Sequence, residues 1–405
     1  MLRWWVAVWC MAMRGCLICR YRNKTTFSIT PSASGPQLAL QKARTNNVHG
    51  HVRVSTCLLH SEQADQLLNY VNAALREPVS SQTLTAFDAV TCTGFLKRCI
   101  IRESVTPGAA EPPPELQVSG GMCAAELTSF RVNWLTHGEG SRQEQQALAA
   151  ISERIYSTAP VFVSGIVQSV HTHANMAAPV DSVRVVCGED SLCASVSGLK
   201  YCVSPNAFFQ VNMRQTEVLF WEVVNAADVR PEDVVLDLYC GSGALALQFS
   251  RRCARIVGVD IVPASIEDAK FNADLNGCKN VSFHAADLRA KLGKDRKVFK
   301  ARVSAAKAHV VVADPGRAGL SDAVKRFIGE DEQARRVVYV SCNSETMCRD
   351  IRAICWEGRW RCVSVVGLDM FPQTDHMEQI AVLERCGESS NTIDRVAYAG
   401  PCRCN

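Results

Sequence analysis

From residue 234 onwards, the sequence alternates short apolar runs rich in β-branched residues with longer stretches of helical pattern. Repetition of strand, helix and strand builds a parallel sheet with helices on both faces. The predicted strands are 234–238, 255–259, 281–284, 309–313 and 337–340, and the predicted helices are 244–252, 263–276, 321–328 and 344–356. We therefore expect an α/β fold that binds its ligands at the carboxyl ends of these strands.

Composition and charge limit the class of protein. Of the 405 residues, 47% are hydrophobic and 21% charged, which is typical of folded domains rather than of disordered or membrane-embedded chains. The uncharged run 4–13 is too short for a membrane span, which needs about 20 residues. Residues 1–61 hold eight Lys and Arg residues and no acidic residue, whereas the remainder holds 36 basic and 40 acidic residues. This asymmetry indicates a targeting segment or a surface that binds a polyanion.

The first 20 residues are treated as a leader. Their basic residues, apolar helical face and lack of acids predict a mitochondrial targeting segment, with nucleus or cytosol as the alternatives. Cys10, Cys16 and Cys19, with Cys57, match the ligand spacing of some iron–sulfur sites, but their apolar surroundings argue against it. We predict no metal site. The chain has 20 cysteines, and we expect most to be reduced, buried hydrophobes.

Between the leader and the tail at 387–405, the residue pattern predicts two domains. Residues 21–205 combine strand-like runs with few helices, which indicates an α+β domain, and residues 206–386 form the α/β domain. The segment 106–121 is rich in Pro and Gly and reads as a surface loop. The clearest elements of the first domain are strands at 130–134 and 161–170 and helices at 61–76 and 142–155.

A glycine-rich turn follows the first strand of the α/β domain. Gly241 and Gly243 allow a tight turn and close approach to a ligand, and Asp260 at the end of the next strand is placed for ribose hydroxyls. This pattern alone fits a dinucleotide or S-adenosylmethionine. Asp237 precedes the turn, and its carboxylate attracts an amino group but repels a pyrophosphate. The sequence therefore favours S-adenosylmethionine.

Further motifs lie where strands are predicted to end. They read ADPGRAG at 313–319, YVSCN at 339–343 and DMFPQTDHME at 369–378, with SPNAFFQVN upstream at 204–212. YRNKTTFS at 21–28 and LKRCIIR at 96–102 precede them. Together, over residues 21–385, they resemble the tRNA/rRNA (uracil-5-)-methyltransferases, and most closely the eukaryotic members that act on tRNA. That family usually has an additional RNA-binding domain before the YRNK motif, so we expect either that residues 21–205 bind the RNA or that the sequence begins late.

The resemblance implies a Rossmann-like class I methyltransferase domain preceded by a smaller α+β RNA-binding domain. It implies transfer of a methyl group from S-adenosylmethionine to C5 of a uridine. The T-loop of tRNA is the favoured substrate, and rRNA is the alternative. We expect a monomer that binds no membrane. Cys342 is the implied nucleophile and Glu378 the implied base. The implied cofactor contacts are Gln210, Tyr239, Gly241, Gly243, Asp260 and Asp314.

The chemistry explains the need for a thiol and a base. C5 of uracil is a poor nucleophile until a thiolate adds to C6, and the C5 proton must then be removed. Cys342 lies between a predicted strand and a predicted helix, and a helix N-terminus lowers a thiol's pKa. Glu378 begins a predicted strand, 377–383, where the alternative reading is an exposed structural carboxylate.

RNA binding requires cations and a flipped target base. We expect phosphate contacts from Arg22, Lys24 and Arg317, with Arg317 alternatively orienting Asp314. Further candidates are Arg44, Arg53, Lys97, Arg98 and Arg102. Phe208 and Phe209 can stack on a base, but we expect both in the core.

Three alternatives remain at this point. An NAD-dependent oxidoreductase shares the glycine-rich turn but leaves Cys342, Asp314 and Glu378 without roles. A non-catalytic RNA-folding protein with this fold has no need of Cys342 and Glu378. A cytosine-5 methyltransferase usually has its nucleophile in a Thr-Cys segment and a second cysteine after Asp-Pro, where this sequence has Arg317.

Overall fold

The computed structural model describes residues 19–41, 50–77, 82–106, 127–173, 179–289 and 306–386. The leader up to residue 18, with Cys10 and Cys16, lies outside these residues, as do Arg44, most of the loop 106–121 and the tail 387–405. No helix in the described ranges combines the length and hydrophobicity that crossing a bilayer requires.

In the part of the N-terminal unit that the structure describes, a seven-stranded sheet is covered by two long helices. Its strands are β1 (Lys24–Thr30), β2 (Gln37–Gln41), β3 (His51–Arg53), β4 (Leu96–Thr106), β5 (Leu127–Thr136), β6 (Val163–Val170) and β7 (Ser182–Gly188), in the order β3-β2-β1-β4-β5-β6-β7. All neighbours are antiparallel except β5 and β6. The helices α1 (Glu62–Leu75) and α2 (Arg142–Thr158) bury their apolar faces against the sheet. Ser61 and Ser141 cap their N-termini, as serine does at such positions.

A short hairpin connects the two units. Its strands are β8 (Leu192–Val196) and β9 (Leu199–Val203), and Cys193 and Cys202 face each other across it as a disulfide. The expectation of reduced cysteines is wrong for this pair, because the antiparallel register places the two residues opposite each other. Among the described residues, Cys99, Cys240, Cys342 and Cys348 are examples of thiols that form no disulfide.

The second unit is the predicted α/β domain. Its strands are β10 (Val234–Leu238), β11 (Arg255–Asp260), β12 (Val281–Ala285), β13 (Val310–Ala313), β14 (Arg336–Ser341), β15 (Trp360–Leu368) and β16 (Glu378–Arg385). Its helices are α3 (Met213–Ala227), α4 (Ala244–Gln248), α5 (Pro263–Leu275), α6 (Asp322–Glu330) and α7 (Ser344–Cys355). The order is β12-β11-β10-β13-β14-β16-β15. The first five strands are parallel, and β16 and β15 are antiparallel to their neighbours. The α/β prediction is confirmed.

From residue 234 onwards, two of the described elements differ from the predictions, and the helix Met213–Ala227 before them was not predicted. The helix predicted at 244–252 ends at Gln248, because the following amides of Phe249, Ser250 and Arg252 bond three residues back and tighten the chain into turns. Strand β15 was not predicted. It is an edge strand that is exposed over most of its length and has a register shift between Cys362 and Ser364, so its sequence shows no regular alternation.

Candidate active site

The glycine-rich turn stands at the carboxyl edge of the parallel sheet. Tyr239 has φ 66°, Gly241 52° and Gly243 77°, a region that favours glycine and strains tyrosine. The amide of Gly241 donates to Asp260 Oδ2 at 3.0 Å. A Cβ atom at Gly241 meets nothing within 4 Å, whereas one at Gly243 lies 2.8 Å from the ring of Phe283. Gly243 therefore keeps the turn packed, and the turn at Gly241 borders open space.

Three carboxylates surround this turn, and they fit a cationic ligand. Asp237 is 1% exposed, and its Oδ2 has no hydrogen-bond partner among the described residues. Burial and repulsion from Asp314 and Asp260 raise the pKa of Asp237 well above its ordinary value, and burial raises the pKa of Asp314 to about 7. The sulfonium and ammonium groups of S-adenosylmethionine relieve this repulsion, whereas a dinucleotide's pyrophosphate adds to it. The site thus disfavours the oxidoreductase reading.

Tyr239 and Gln210, the two other predicted cofactor contacts, lie in different segments. The hydroxyl of Tyr239 accepts a hydrogen bond from the amide of Ser321 at 3.2 Å, and its ring packs against the core. Tyr239 is thus a structural contact as well as a candidate cofactor contact. Gln210 lies in the loop 204–212, and its backbone oxygen accepts from Asn23 Nδ2 at 3.3 Å. This bond ties the loop to the N-terminal unit.

Cys342 and Glu378 are brought together by strand pairing. The register of β14 and β16 pairs Ser341 with Gln379, so Cys342 comes opposite Glu378. Cys342 is partly buried, and Glu378 is only 5% exposed. The alternative reading of Glu378 as an exposed structural carboxylate is therefore wrong.

The electrostatics of this pair differ from the expectation for a helix N-terminus. Burial and the charges of Glu378 and Asp314 raise the pKa of the Cys342 thiol, and Arg317 lowers it. The predicted net lowering is wrong because α7 begins two residues later at Ser344, with Asn343 as its cap, and two carboxyl groups face the thiol. Burial and Asp314 raise the pKa of Glu378 to about 8.

Arg317 belongs to this site, while Arg22 and Lys24 lie on the N-terminal unit. Arg317 is exposed, and its backbone oxygen accepts from Asn343 Nδ2 at 3.3 Å. Arg22 donates to the backbone oxygen of Lys24 at 3.1 Å. Burial, with Arg102 and Arg22 nearby, lowers the pKa of Lys24 to about 7.

Two further cations proposed for phosphate contacts are buried. Lys97 donates to the backbone oxygens of His171 and His173 at 2.5 and 3.0 Å. Arg102 is 5% exposed and donates to the backbone oxygen of Ala207. Neither side chain is available to RNA, because each is buried and donates its hydrogen bonds to backbone oxygens of the protein.

The two phenylalanines of the loop 204–212 differ from each other. Phe209 is 8% exposed and packs in the core, as expected. Phe208 is 68% exposed, so the expectation of a core residue is wrong for it. An exposed aromatic ring beside Gln210 is available to stack on a base.

A buried carboxylate near the site, Asp350, was not among the predicted site residues. Asp350 is fully buried, and it accepts from the amide of Leu320 at 2.7 Å and from the hydroxyl of Tyr339 at 3.0 Å. It also pairs with Arg349 at 2.9 Å and Lys325 at 3.4 Å. Asp350 thus joins α7 to the end of the loop that carries Asp314. No local sequence signal distinguishes it from other helical aspartates.

We expect Asp350→Ala to destabilise the protein strongly. The substitution leaves a buried amide and a hydroxyl without their partner and removes the buried carboxylate from two ion pairs, at a cost of about 3–5 kcal/mol. Urea denaturation measures it. The control is Glu267→Ala, which removes an exposed ion pair with Lys270 at 2.8 Å and should cost less than about 1 kcal/mol. Equal effects in the two variants contradict the role assigned to Asp350.

Comparisons with known proteins agree with this site. The family described as tRNA (Uracil-5-)-methyltransferase matches residues 184–386, about half of the chain. An uncharacterized RNA methyltransferase of Chlorobaculum tepidum is 29% identical over 382 residues, covering 90% of this chain and 71% of that protein. Another from Oceanobacillus iheyensis is 36% identical over 223 residues, covering 55% and 46%.

The fold has a solved counterpart. It is similar to the Pyrococcus abyssi tRNA (uracil-54, C5)-methyltransferase in complex with S-adenosyl-L-homocysteine, with a TM-score of 0.63, 22% identity, and coverage of 90% of this chain and 76% of that one. This likeness concerns the fold. The family match covers the whole second unit. The chain belongs to the tRNA (uracil-5-)-methyltransferase family and is an S-adenosylmethionine-dependent RNA methyltransferase.

Proposed function

We propose that the protein methylates C5 of a uridine in RNA through a covalent adduct between Cys342 and C6, and that the uridine lies in the T-loop of tRNA. The observation that carries the adduct is the register that sets Cys342 opposite Glu378 at the edge where the acidic turn lies. The T-loop is supported by the resemblance to members that act on tRNA. The likeness to an enzyme named for uracil-54 of tRNA also supports it.

The residues divide the reaction between them. The thiolate of Cys342 adds to C6, and the electrons of the C5–C6 double bond move towards O4, which makes C5 nucleophilic. S-adenosylmethionine, when bound, supplies the methyl group that C5 takes. The carboxylate of Glu378 then accepts the C5 proton, the C5–C6 double bond re-forms, and the C6–S bond breaks to release the thiolate.

The cofactor is assigned to the acidic turn. Gly241 and Gly243 allow its close approach, Asp260 is placed for ribose hydroxyls, and the buried carboxylate of Asp237 offers an unpaired oxygen to the ammonium group. Tyr239, which directly follows β10, and Gln210 are the further proposed cofactor contacts. Asp314 follows β13 and acts electrostatically on Asp237, Cys342 and Glu378, so it stands between the cofactor and the target base.

The RNA must present an unstacked base to reach Cys342. Phe208 offers an exposed ring to that base, and Arg22, Lys24 and Arg317 offer charges to phosphates. A phosphate beside Lys24 raises the pKa of its amine from about 7 and so favours the charged form. These contacts position the RNA without reading its sequence.

Mapping of 5-methyluridine tests the proposed target. RNA from cells that lack the gene should lose the modification in the T-loop of tRNA and keep it in rRNA. Purified protein should methylate a tRNA transcript, and a matched transcript with the T-loop uridine changed to cytidine should accept no methyl group. Loss from rRNA alone contradicts the tRNA assignment. Methylation of the cytidine transcript at an unchanged rate contradicts the T-loop site.

A further inference from the structure

A histidine and an arginine from two different loops are in contact with each other. His376 lies in the loop between β15 and β16, two residues before Glu378. Arg317 lies in the loop after β13. Arg317 Nη2 is 3.0 Å from His376 Nε2 and 3.5 Å from Nδ1. Because a guanidinium has donors only, the imidazole is the acceptor in this contact and is neutral in it.

Both partners are held by their own loops. The amide of His376 donates to Thr374 Oγ1 at 3.3 Å, and its ring packs edge-on against Phe371 with centroids 6.3 Å apart. The hydroxyl of Tyr21 anchors this loop through the backbone oxygen of Pro372 at 3.1 Å. The imidazole therefore has a fixed place from which to hold a flexible side chain.

On the other side, Arg317 is tied to the segment of the nucleophile. Its backbone oxygen accepts from Asn343 Nδ2 at 3.3 Å and from Thr346 Oγ1 at 3.4 Å. Asn343 is the residue after Cys342. The backbone of Arg317 is thus fixed beside the thiol, and the bond to His376 decides where its guanidinium points.

The thiol needs this cation. Glu378 and Asp314 disfavour its charged form, and Arg317 is the side chain that favours it. An exposed arginine samples many rotamers unless it is held. Without a partner, the guanidinium spends less time near Cys342.

We propose that His376 is a positioning residue that holds the guanidinium of Arg317 beside Cys342 and thereby stabilises the attacking thiolate. The inference rests on the proposed role of Cys342, and it assigns His376 no part in proton transfer. Glu378 remains the base.

Alkylation by iodoacetamide tests the proposal without methyl transfer. The reagent reacts with thiolates, and peptide mass spectrometry follows Cys342 separately as the pH is varied. We expect His376→Ala and Arg317→Ala each to slow alkylation of Cys342 at pH 7.5 by roughly threefold to tenfold, since tenfold corresponds to one pKa unit. His376→Gln keeps an acceptor and should restore the rate to within about twofold.

Exposed Cys348 on α7 is the internal control. Its alkylation rate should be the same in all variants, and an equal change at both thiols indicates general unfolding and overturns the proposal. An unchanged rate at Cys342 in His376→Ala also overturns it, as does a glutamine variant as slow as the alanine variant. If Cys342 instead proves dispensable for methylation, the proposed function fails, whatever the alkylation result.

Discussion

Cys342→Ala should abolish methylation, with a loss of at least about 10⁴-fold in turnover. Without the thiol, no group adds to C6, and C5 keeps too little electron density to take a methyl group. The measurement is incorporation of a radioactive methyl group from S-adenosylmethionine into a tRNA transcript. The variant should still bind S-adenosylmethionine, because Cys342 follows β14, whereas the turn at Gly241 follows β10, two strands away in the sheet.

The adduct itself can be trapped. RNA that carries 5-fluorouridine forms the same C6–S bond, but fluorine does not leave C5 as a proton does, so a stable protein–RNA species should accumulate in denaturing gels. Cys342→Ala should give none, and Cys348→Ala, which changes an exposed thiol on the next helix, should give as much as the wild type. A wild-type protein without an adduct, or an adduct that survives Cys342→Ala, refutes the assignment of the nucleophile.

Much of the fold was predictable because parallel strands leave a strong pattern. Buried strands such as β13 read as nearly continuous apolar runs, and all five parallel strands were predicted within a few residues. Since their carboxyl ends meet at one edge, residues that follow them were expected together. The structure places Asp260, Asp314 and Cys342 at this edge.

Which Lys and Arg side chains are exposed was less predictable. Lys97 and Arg102 were, like Lys24, candidates for phosphate contacts. Their side chains are instead buried and donate to backbone oxygens of residues far along the chain. Arg102 and Ala207 are 105 residues apart. Such contacts depend on how the N-terminal sheet packs against the loop 204–212, which no local pattern encodes. The exposure of Phe208 depends on the same packing.

The charge state of the site was also not predictable from the position of Cys342. The sequence places the thiol before a helix, but burial and the carboxyl groups of Glu378 and Asp314, which come from other segments, raise its pKa. Burial is also the main cause of the raised pKa values of Asp237, Asp314 and Glu378, and the charge of Asp314 adds to the effect at Asp237 and Glu378. A cationic cofactor changes this balance, and its binding favours the ionised forms of the acids.

Glu378→Gln should separate adduct formation from release. The amide keeps the shape of the carboxyl group but cannot accept the C5 proton, so a methylated RNA–protein adduct should accumulate and turnover should fall by about 10²–10⁴-fold. In the wild type, the single-turnover rate should rise with pH through about 8, where the Glu378 carboxyl ionises. Mass spectrometry of the nuclease-digested adduct measures the extra methyl group. Turnover of Glu378→Gln at the wild-type rate means that another group is the base.

The same substitution should stabilise the fold at high pH. The pKa of Glu378 is raised from 4.5 to about 8, so its contribution to stability is present below about pH 4.5 and is lost as the pH rises through 8. Glutamine cannot ionise. The advantage of the variant should therefore be absent at pH 4, grow between pH 5 and 8, and reach about 5 kcal/mol at pH 9. Urea denaturation at pH 4, 5, 8 and 9 measures it, with the exposed Glu345→Gln as the control. A difference in stability that stays constant across this range shows that folding does not raise the pKa of Glu378. The expected rise of the single-turnover rate through pH 8 is then also contradicted.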